Sequence, residues 1–263
     1  MVFDKRGRRF TAVQDASLDI LAGELTAIVG PSGCGKSTLL HVMAGLLRAS
    51  SGSVVIGERV VAGPDSSVAY MTQTDTLLPW ASVMDNVLLP SRAVGRADRA
   101  LAAELVERVG LTRFENHYPH ELSGGMRKRV QLARALAQRP RVLLMDEPFS
   151  ALDAQTKILV QQGFLEIWEA DRISVVLITH DLAEAISMAD QVVLMSRSPG
   201  RIKEIHRIEL SRPRKADGAL TDPEYQVIYR ALWSSLAEEL VGAPIPGATG
   251  TWRDSDGGDY ETP

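Results

Sequence analysis

The apolar positions change rhythm several times along the chain. Residues 23–30, GELTAIVG, form a short apolar run stopped by glycine, which predicts a strand, and KSTLLHVMAGLL after it carries apolar residues at helical spacing. Residues 53–71 hold two further strand candidates, SVVIG and VAYMT, with the turn-forming AGPDSS between strands. Residues 82–139 read as helical throughout: SVMDNVLLPSRAVG, ADRALAAELVERVG and LSGGMRKRVQLARAL, separated by glycine and by HYPHE. RVLLMDEP then returns to a continuous apolar run ended by acids and proline, as expected of a parallel strand buried on both faces. A long helix from Asp153 to about Asp171 leads to a strand ISVVLIT, a helix DLAEAISMA and a strand QVVLMS. Strands alternating with helices of this length predict a parallel α/β sheet with a helical insert. There is no internal repeat, so one such unit is expected.

Composition changes this picture little. The 263 residues are 45% hydrophobic and 24% charged, ordinary for a globular protein with a substantial core. Residues 242–263, GAPIPGATGTWRDSDGGDYETP, have little to bury and are expected to be a disordered tail. The charged start MVFDKRGRRF lacks the apolar segment of a signal peptide, and no apolar run approaches the roughly 20 residues of a membrane span, so the chain itself is expected to be soluble. A single cysteine, Cys34, excludes an internal disulfide and fits a reducing compartment. A net charge of −4 gives no electrostatic reason to expect a nucleic-acid partner.

The chemistry concentrates at the strand ends. Gly30, Pro31, Ser32, Gly33, Cys34, Gly35, Lys36 and Ser37 fit the pattern G-x-x-x-x-G-K-[ST] between a predicted strand and a predicted helix. Glycines there let backbone N–H groups surround phosphate oxygens at a helix N-terminus. Lys36 reaches the β- and γ-phosphates, the Ser37 hydroxyl can hold Mg²⁺, and Thr38 is the next contact. Cys34 fills an unspecified place in this pattern, which gives little reason to assign it a redox role. VLLMDEP puts Asp146 and Glu147 at the carboxyl end of a strand, where Asp146 can hold Mg²⁺ through water and Glu147 can act as general base; alone, the pair would read equally as a solvated turn. His180, ending the next strand, can face a γ-phosphate or simply precede the helix capped by Asp181. Ser123, Gly124 and Gly125 open an amphipathic helix and make a second anion-binding N-terminus.

Taken together, GPSGCGKST, LSGGMRKRV, VLLMDEP, SALD and ITHD resemble the Walker A, signature, Walker B, D-loop and H-loop of the ATP-binding subunit of ABC transporters, over residues 3 to about 240. The resemblance implies a P-loop NTPase (RecA-like) core with a mainly parallel sheet, an N-terminal antiparallel β subdomain and an inserted α-helical subdomain at about 82–139, all within an ATPase domain of residues 1–241. It implies ATP and Mg²⁺ as cofactors and Gln73, in MTQTDTLLPW, as the glutamine that senses Mg²⁺ and the attacking water. It also implies Asp153 at a dimer seam, His180 as the switch histidine, and Ser123, Gly124 and Gly125 facing the γ-phosphate held by a partner subunit, so that each ATP is sandwiched. An aromatic residue stacks on adenine in this family; Phe3 is the candidate, with Phe10 as rival. The sequence departs from the family in starting almost at Phe3, without the usual first strand, and in carrying Lys128 where many relatives have glutamine. A cation there would face a neighbouring acid or the solvated side of the helix.

Within the family, LLPW and the run SRSPGRIKEIHRIELSRPR, followed by DPEYQVIYRALWSSLAEEL, look like the nitrate/sulfonate/taurine import group. That likeness implies a homodimer or paired ATPase subunit, integral membrane permease subunits and, indirectly, a substrate-binding protein, at the cytoplasmic face of the cell membrane. Residues 73–90 would line the groove for the permease's coupling helix, and Trp80 could equally be plain core. The alternatives are a soluble ABC-type ATPase acting on DNA or ribosomes, which would usually carry two cassettes or a coiled-coil insertion, and a scaffold that binds ATP without turnover, which the intact Lys36, Asp146, Glu147 and His180 oppose.

Overall fold

The computed structural model describes residues 1–5, 8–93, 95, 97–214 and 222–241; the expected tail at 242–263 lies outside the described residues. A hairpin of β1 (Val2–Lys5) and β2 (Arg8–Thr11) opens the chain, so Phe3, expected to have no strand before it, itself lies in a strand opposite Phe10. Next come β3 (Leu25–Val29), α1 (Lys36–Met43), the short hairpin β4 (Val55–Ile56) and β5 (Arg59–Val60), and β6 (Val68–Met71). The helical stretch holds α2 (Val83–Ala93), α3 (Arg99–Arg108) and α4 (Gly124–Leu136). It is followed by β7 (Val142–Asp146), α5 (Ala154–Asp171), β8 (Ser174–Ile178), α6 (Leu182–Met188), β9 (Gln191–Met195), β10 (Ile202–Arg207) and α7 (Pro223–Val241).

Six strands form the central sheet in the order β10-β9-β3-β8-β7-β6; every ladder is parallel except that of β10 with β9. Alternate residues of each strand enter opposite cores. Leu25, Ala27, Leu143, Val175, Leu177 and Val192 pack with the faces of α2 to α7, whereas Ile28, Leu144, Val176, Ile178 and Val193 pack with Leu40 of α1 and with Ala12 and Val13. Burial on both faces is why these strands are continuous apolar runs in the sequence.

Three local expectations change. SVVIG contributes only two residues to a strand and pairs with β5, whose exposed Val60 gave no alternation to read. Residues 109–118 are turns, not helix: Gly110 takes φ 71°, and Leu111 is buried within the turn. The run at 196–214 supplies an antiparallel edge strand and the one at 222–240 a helix against α6, neither of which the earlier periodicity marks.

Caps define the helices that matter most. Ser123 Oγ accepts from the Met126 N–H at 3.3 Å and starts α4; Asp153 Oδ1 accepts from the Thr156 N–H at 3.0 Å and starts α5. These two helices touch at Gly125, where a Cβ would stand 2.4 Å from Thr156 Cγ2. Glycine is thus required there by packing as well as by any approach of a ligand.

Candidate functional site

Four neighbouring strands, β3, β8, β7 and β6, deliver the candidate residues to one edge of the sheet. β3 runs into the loop at 30–35, β8 into Thr179 and His180, β7 into Asp146 and Glu147, and β6 toward Gln73. The carboxyl edge of an open parallel sheet is where such folds bind ligands.

The loop is set by its glycines. Gly35 sits at φ 101°, and a Cβ there would lie 2.7 Å from both the Ala12 carbonyl oxygen and Val13 Cγ2. Lys36 opens α1 with its ammonium turned into the loop, donating to the carbonyls of Gly30 at 2.8 Å and Pro31 at 2.9 Å. Cys34 is buried under the loop, and that burial pushes its thiol up, away from the reactive thiolate. Gly35→Ala should lower the unfolding free energy by about 2 kcal/mol, the order of cost of a non-glycine residue held in such backbone, read in urea titrations. An unchanged midpoint would show that the loop can relax away from Ala12 and Val13.

Asp146 is buried, and each carboxylate oxygen has a partner: the Ser37 hydroxyl donates to Oδ1 at 3.2 Å and the Tyr70 hydroxyl to Oδ2 at 3.3 Å. His41 Nε2 stands 3.0 Å from the same Tyr70 oxygen. Burial, and then the Asp146 charge, push the Tyr70 phenol up, so it stays a donor to the carboxylate. An acceptor carboxylate beside a serine hydroxyl is a pair of hard oxygen ligands, suited to a divalent cation that also keeps waters and phosphate oxygens.

Glu147 follows at φ 45°, an uncommon backbone for a residue with a side chain, held by its N–H donating to the Ile178 carbonyl at 3.0 Å. Its Oε2 receives Gln73 Nε2 at 3.2 Å and lies 3.1 Å from His180 Nδ1. Gln73, Glu147 and His180, expected from three separate segments, are therefore one cluster. A carboxylate fixed by an amide and an imidazole, with His180 61% exposed at the end of β8, can orient a water and take its proton.

Other expected residues fall elsewhere. Ser123, Gly124 and Gly125 share no hydrogen bond with residues 30–38 among the described residues; they begin a helix of the insert. Asp153 caps α5, and the Thr156 backbone N–H it accepts holds its carboxyl below the usual range. Phe3 is partly buried against the second core, while Phe10 is 52% exposed. Trp80 is not core: it is 75% exposed, next to the buried Leu77. Lys128 is not on the solvated side: it is 6% exposed and donates to the Gln73 carbonyl at 2.7 Å, and burial pushes its ammonium pKa down against the opposing pull of the neighbouring Asp75 charge.

The chain matches the family described as ABC transporter over residues 13–150. It belongs to that family. A nitrate import ATP-binding protein of Synechococcus elongatus is 42% identical over 82% of this chain and 81% of its own length. A taurine import ATP-binding protein of Yersinia pestis is 41% identical over 81% of this chain and 87% of its own. The dimeric structure of a bacterial ABC transporter cassette superposes with a TM-score of 0.70 at 29% identity, covering 80% of this chain and 96% of that one. This is an ABC ATP-binding subunit with the P-loop NTPase fold, and its chemistry is ATP hydrolysis. Sequence reading missed Tyr70 beside Asp146 and His41 against Tyr70; Tyr70 lies in VAYMT, where a half-buried strand residue gives no sign that it points to a carboxylate.

Proposed function

We propose that this ABC ATPase is the hydrolysing subunit of an importer for a small anion or organic solute such as nitrate, sulfonate or taurine. The observation that carries the proposal is its 41–42% identity, over four fifths of the chain, to ATP-binding subunits named for nitrate and taurine import. Two copies would close head to tail on ATP, so that Ser123, Gly124 and Gly125 of one face the γ-phosphate held by the loop of the other, with Asp153 at the seam. A dimeric cassette of the same fold supports this pairing.

Each composite site would then divide its labour. Gly30, Pro31, Ser32, Gly33, Cys34 and Gly35 wrap the phosphates with backbone, Lys36 carries the β/γ charge, and Ser37 and Thr38 follow at the helix start. Ser37 Oγ and Asp146 Oδ1, 3.2 Å apart, are the oxygen pair that would hold Mg²⁺, with Gln73 sensing it across the site. Mg²⁺ when bound neutralises charge on the phosphates. Glu147 accepts the proton of the attacking water, while Gln73 Nε2 and His180 Nδ1 hold Oε2 in place. Phe3 is the proposed adenine platform; the exposed Phe10 opposite it is the alternative ring.

A cleft of about 900 Å³ opens between the sheet edge and the helical insert, lined by Tyr70, Thr76, Leu89, Pro90, Gln131 and Arg134. The exposed Leu89 on its wall and the exposed Trp80 within 73–90 support this face as the seat of the permease's coupling helix. Such docking would place the subunit at the cytoplasmic face of the membrane, with the substrate-binding protein reached only through the permease. None of the described helices is long and apolar enough to cross a membrane, so attachment falls to that partner.

The test is purification from native membranes in mild detergent, followed by identification of bound proteins. Integral permease subunits are expected in stoichiometric amount. Recovery of ribosomes or DNA in their place would favour a soluble ABC ATPase.

A further inference from the structure

We propose that Lys128 is a positioning residue: its ammonium pins the main chain at Gln73 to helix α4 and so sets where the Gln73 amide meets Glu147. The proposal rests on the reading of Gln73 given above. It grows out of one face of α4, where Arg127, Lys128, Gln131 and Arg134 come together at helical spacing. Together they grip every residue of the segment 73–76. Lys128 Nζ donates to the Gln73 carbonyl at 2.7 Å, Gln131 Nε2 to the Thr74 carbonyl and to Asp75 Oδ1, each at 3.3 Å, and Arg127 Nε pairs with Asp75 Oδ2 at 2.8 Å. Arg134 donates to the Thr76 carbonyl at 2.8 Å and to its hydroxyl at 2.6 Å.

Three of these four residues hold backbone carbonyls, so the helix fixes the path of the segment as well as reading its side chains. Lys128 holds the residue whose side chain enters the site. The carbonyl it grips and the Gln73 amide, 3.2 Å from Glu147 Oε2, belong to the same residue. A shift at that carbonyl is therefore passed to the amide. An ammonium is a costly way to make such a contact, because burial disfavours it and the pair carboxylate, Asp75, is already engaged by Arg127. A charge-assisted bond of this kind is shorter and stronger than one from a neutral amide. The helix that begins at Ser123 thereby becomes mechanically continuous with the residue contacting the candidate base of the same subunit.

A double-mutant cycle on the purified full chain tests this, with kcat and KM for ATP measured for Lys128→Met, Gln73→Ala and the pair. Methionine keeps the apolar stem as far as Cε but cannot donate. Lys128→Met should lower kcat roughly tenfold, as small misplacements of catalytic groups do, with KM within about twofold. In the Gln73→Ala background the carbonyl remains but the side chain it positions is gone, so Lys128→Met should add less than about twofold there. A wild-type kcat in Lys128→Met, or a loss that multiplies fully in the double variant, would overturn the proposal. If Gln73→Ala alone leaves kcat unchanged, the assigned role of Gln73 fails instead. The tether is then decided by amide hydrogen exchange at residues 74–76, expected about tenfold faster in Lys128→Met and overturned if unchanged. Should Lys128→Met not fold, Lys128→Leu, which also lacks a donor for the Gln73 carbonyl, carries the same cycle and exchange readings.

Discussion

Glu147→Gln should cut steady-state ATP hydrolysis by about a thousandfold, within the range that a positioned general base contributes. The substitution is close to isosteric, so its effect is chemical. The amide oxygen of glutamine can still accept from Gln73 Nε2 and His180 Nδ1, which lie 3.2 and 3.1 Å from Oε2, so the cluster keeps its geometry. What disappears is the ability to take a proton from water. Lys36, Ser37 and Asp146 make no hydrogen bond to Glu147, so ATP binding should stay within about twofold of the parent. Binding without turnover should trap the closed pair. Phosphate release and size-exclusion chromatography with ATP read the two effects separately: hydrolysis vanishes while a dimer peak accumulates. Unchanged turnover would remove Glu147 as the base, and lost turnover without a dimer would point to damage in the phosphate loop.

That result would rest on residues visible in the sequence, and the reason they were visible is physical. Asp146, Glu147 and His180 end or follow apolar strands buried on both faces, and Lys36 opens the helix after the loop that follows another, so their positions can be read from where each run stops. Gln73 is similar, just beyond VAYM. Tyr70 and Lys128 were not legible in the same way. Tyr70 is the half-buried residue of its strand, and its hydroxyl reaches Asp146, a contact between residues 76 apart in sequence. Lys128 looks like a solvated charge within RKR until α4 is laid against residues 73–76, when it proves buried. The strands β5 and β10 were hidden for a simpler reason. Short or edge strands such as these have no fully buried residue, and so lack the unbroken apolar run that announced β3, β7, β8 and β9.

The second large effect is expected at Ser123, and it separates a helix cap from a shared ATP site. Ser123→Asn and Ser123→Asp both keep an oxygen to accept the Met126 N–H, so both should hold α4 and fold with stability close to the parent. They differ in charge. An aspartate would bring its carboxylate toward the partner's γ-phosphate, and two like charges about 4 Å apart repel by about 4 kcal/mol at an effective dielectric constant near 20. That is about a thousandfold in the dimer dissociation constant for each of the two composite sites. The isolated subunit should still bind ATP normally, since Ser123 shares no hydrogen bond with residues 30–38 among the described residues. Sedimentation with ATP, on an Glu147→Gln background that suppresses turnover, should therefore find Ser123→Asn dimeric and Ser123→Asp monomeric at equal nucleotide occupancy. Equal dimerisation of the two would leave Ser123 as a helix cap alone and would undo the head-to-tail pairing, because that arrangement sets the introduced carboxylate against the partner's γ-phosphate, where its charge must weaken the dimer.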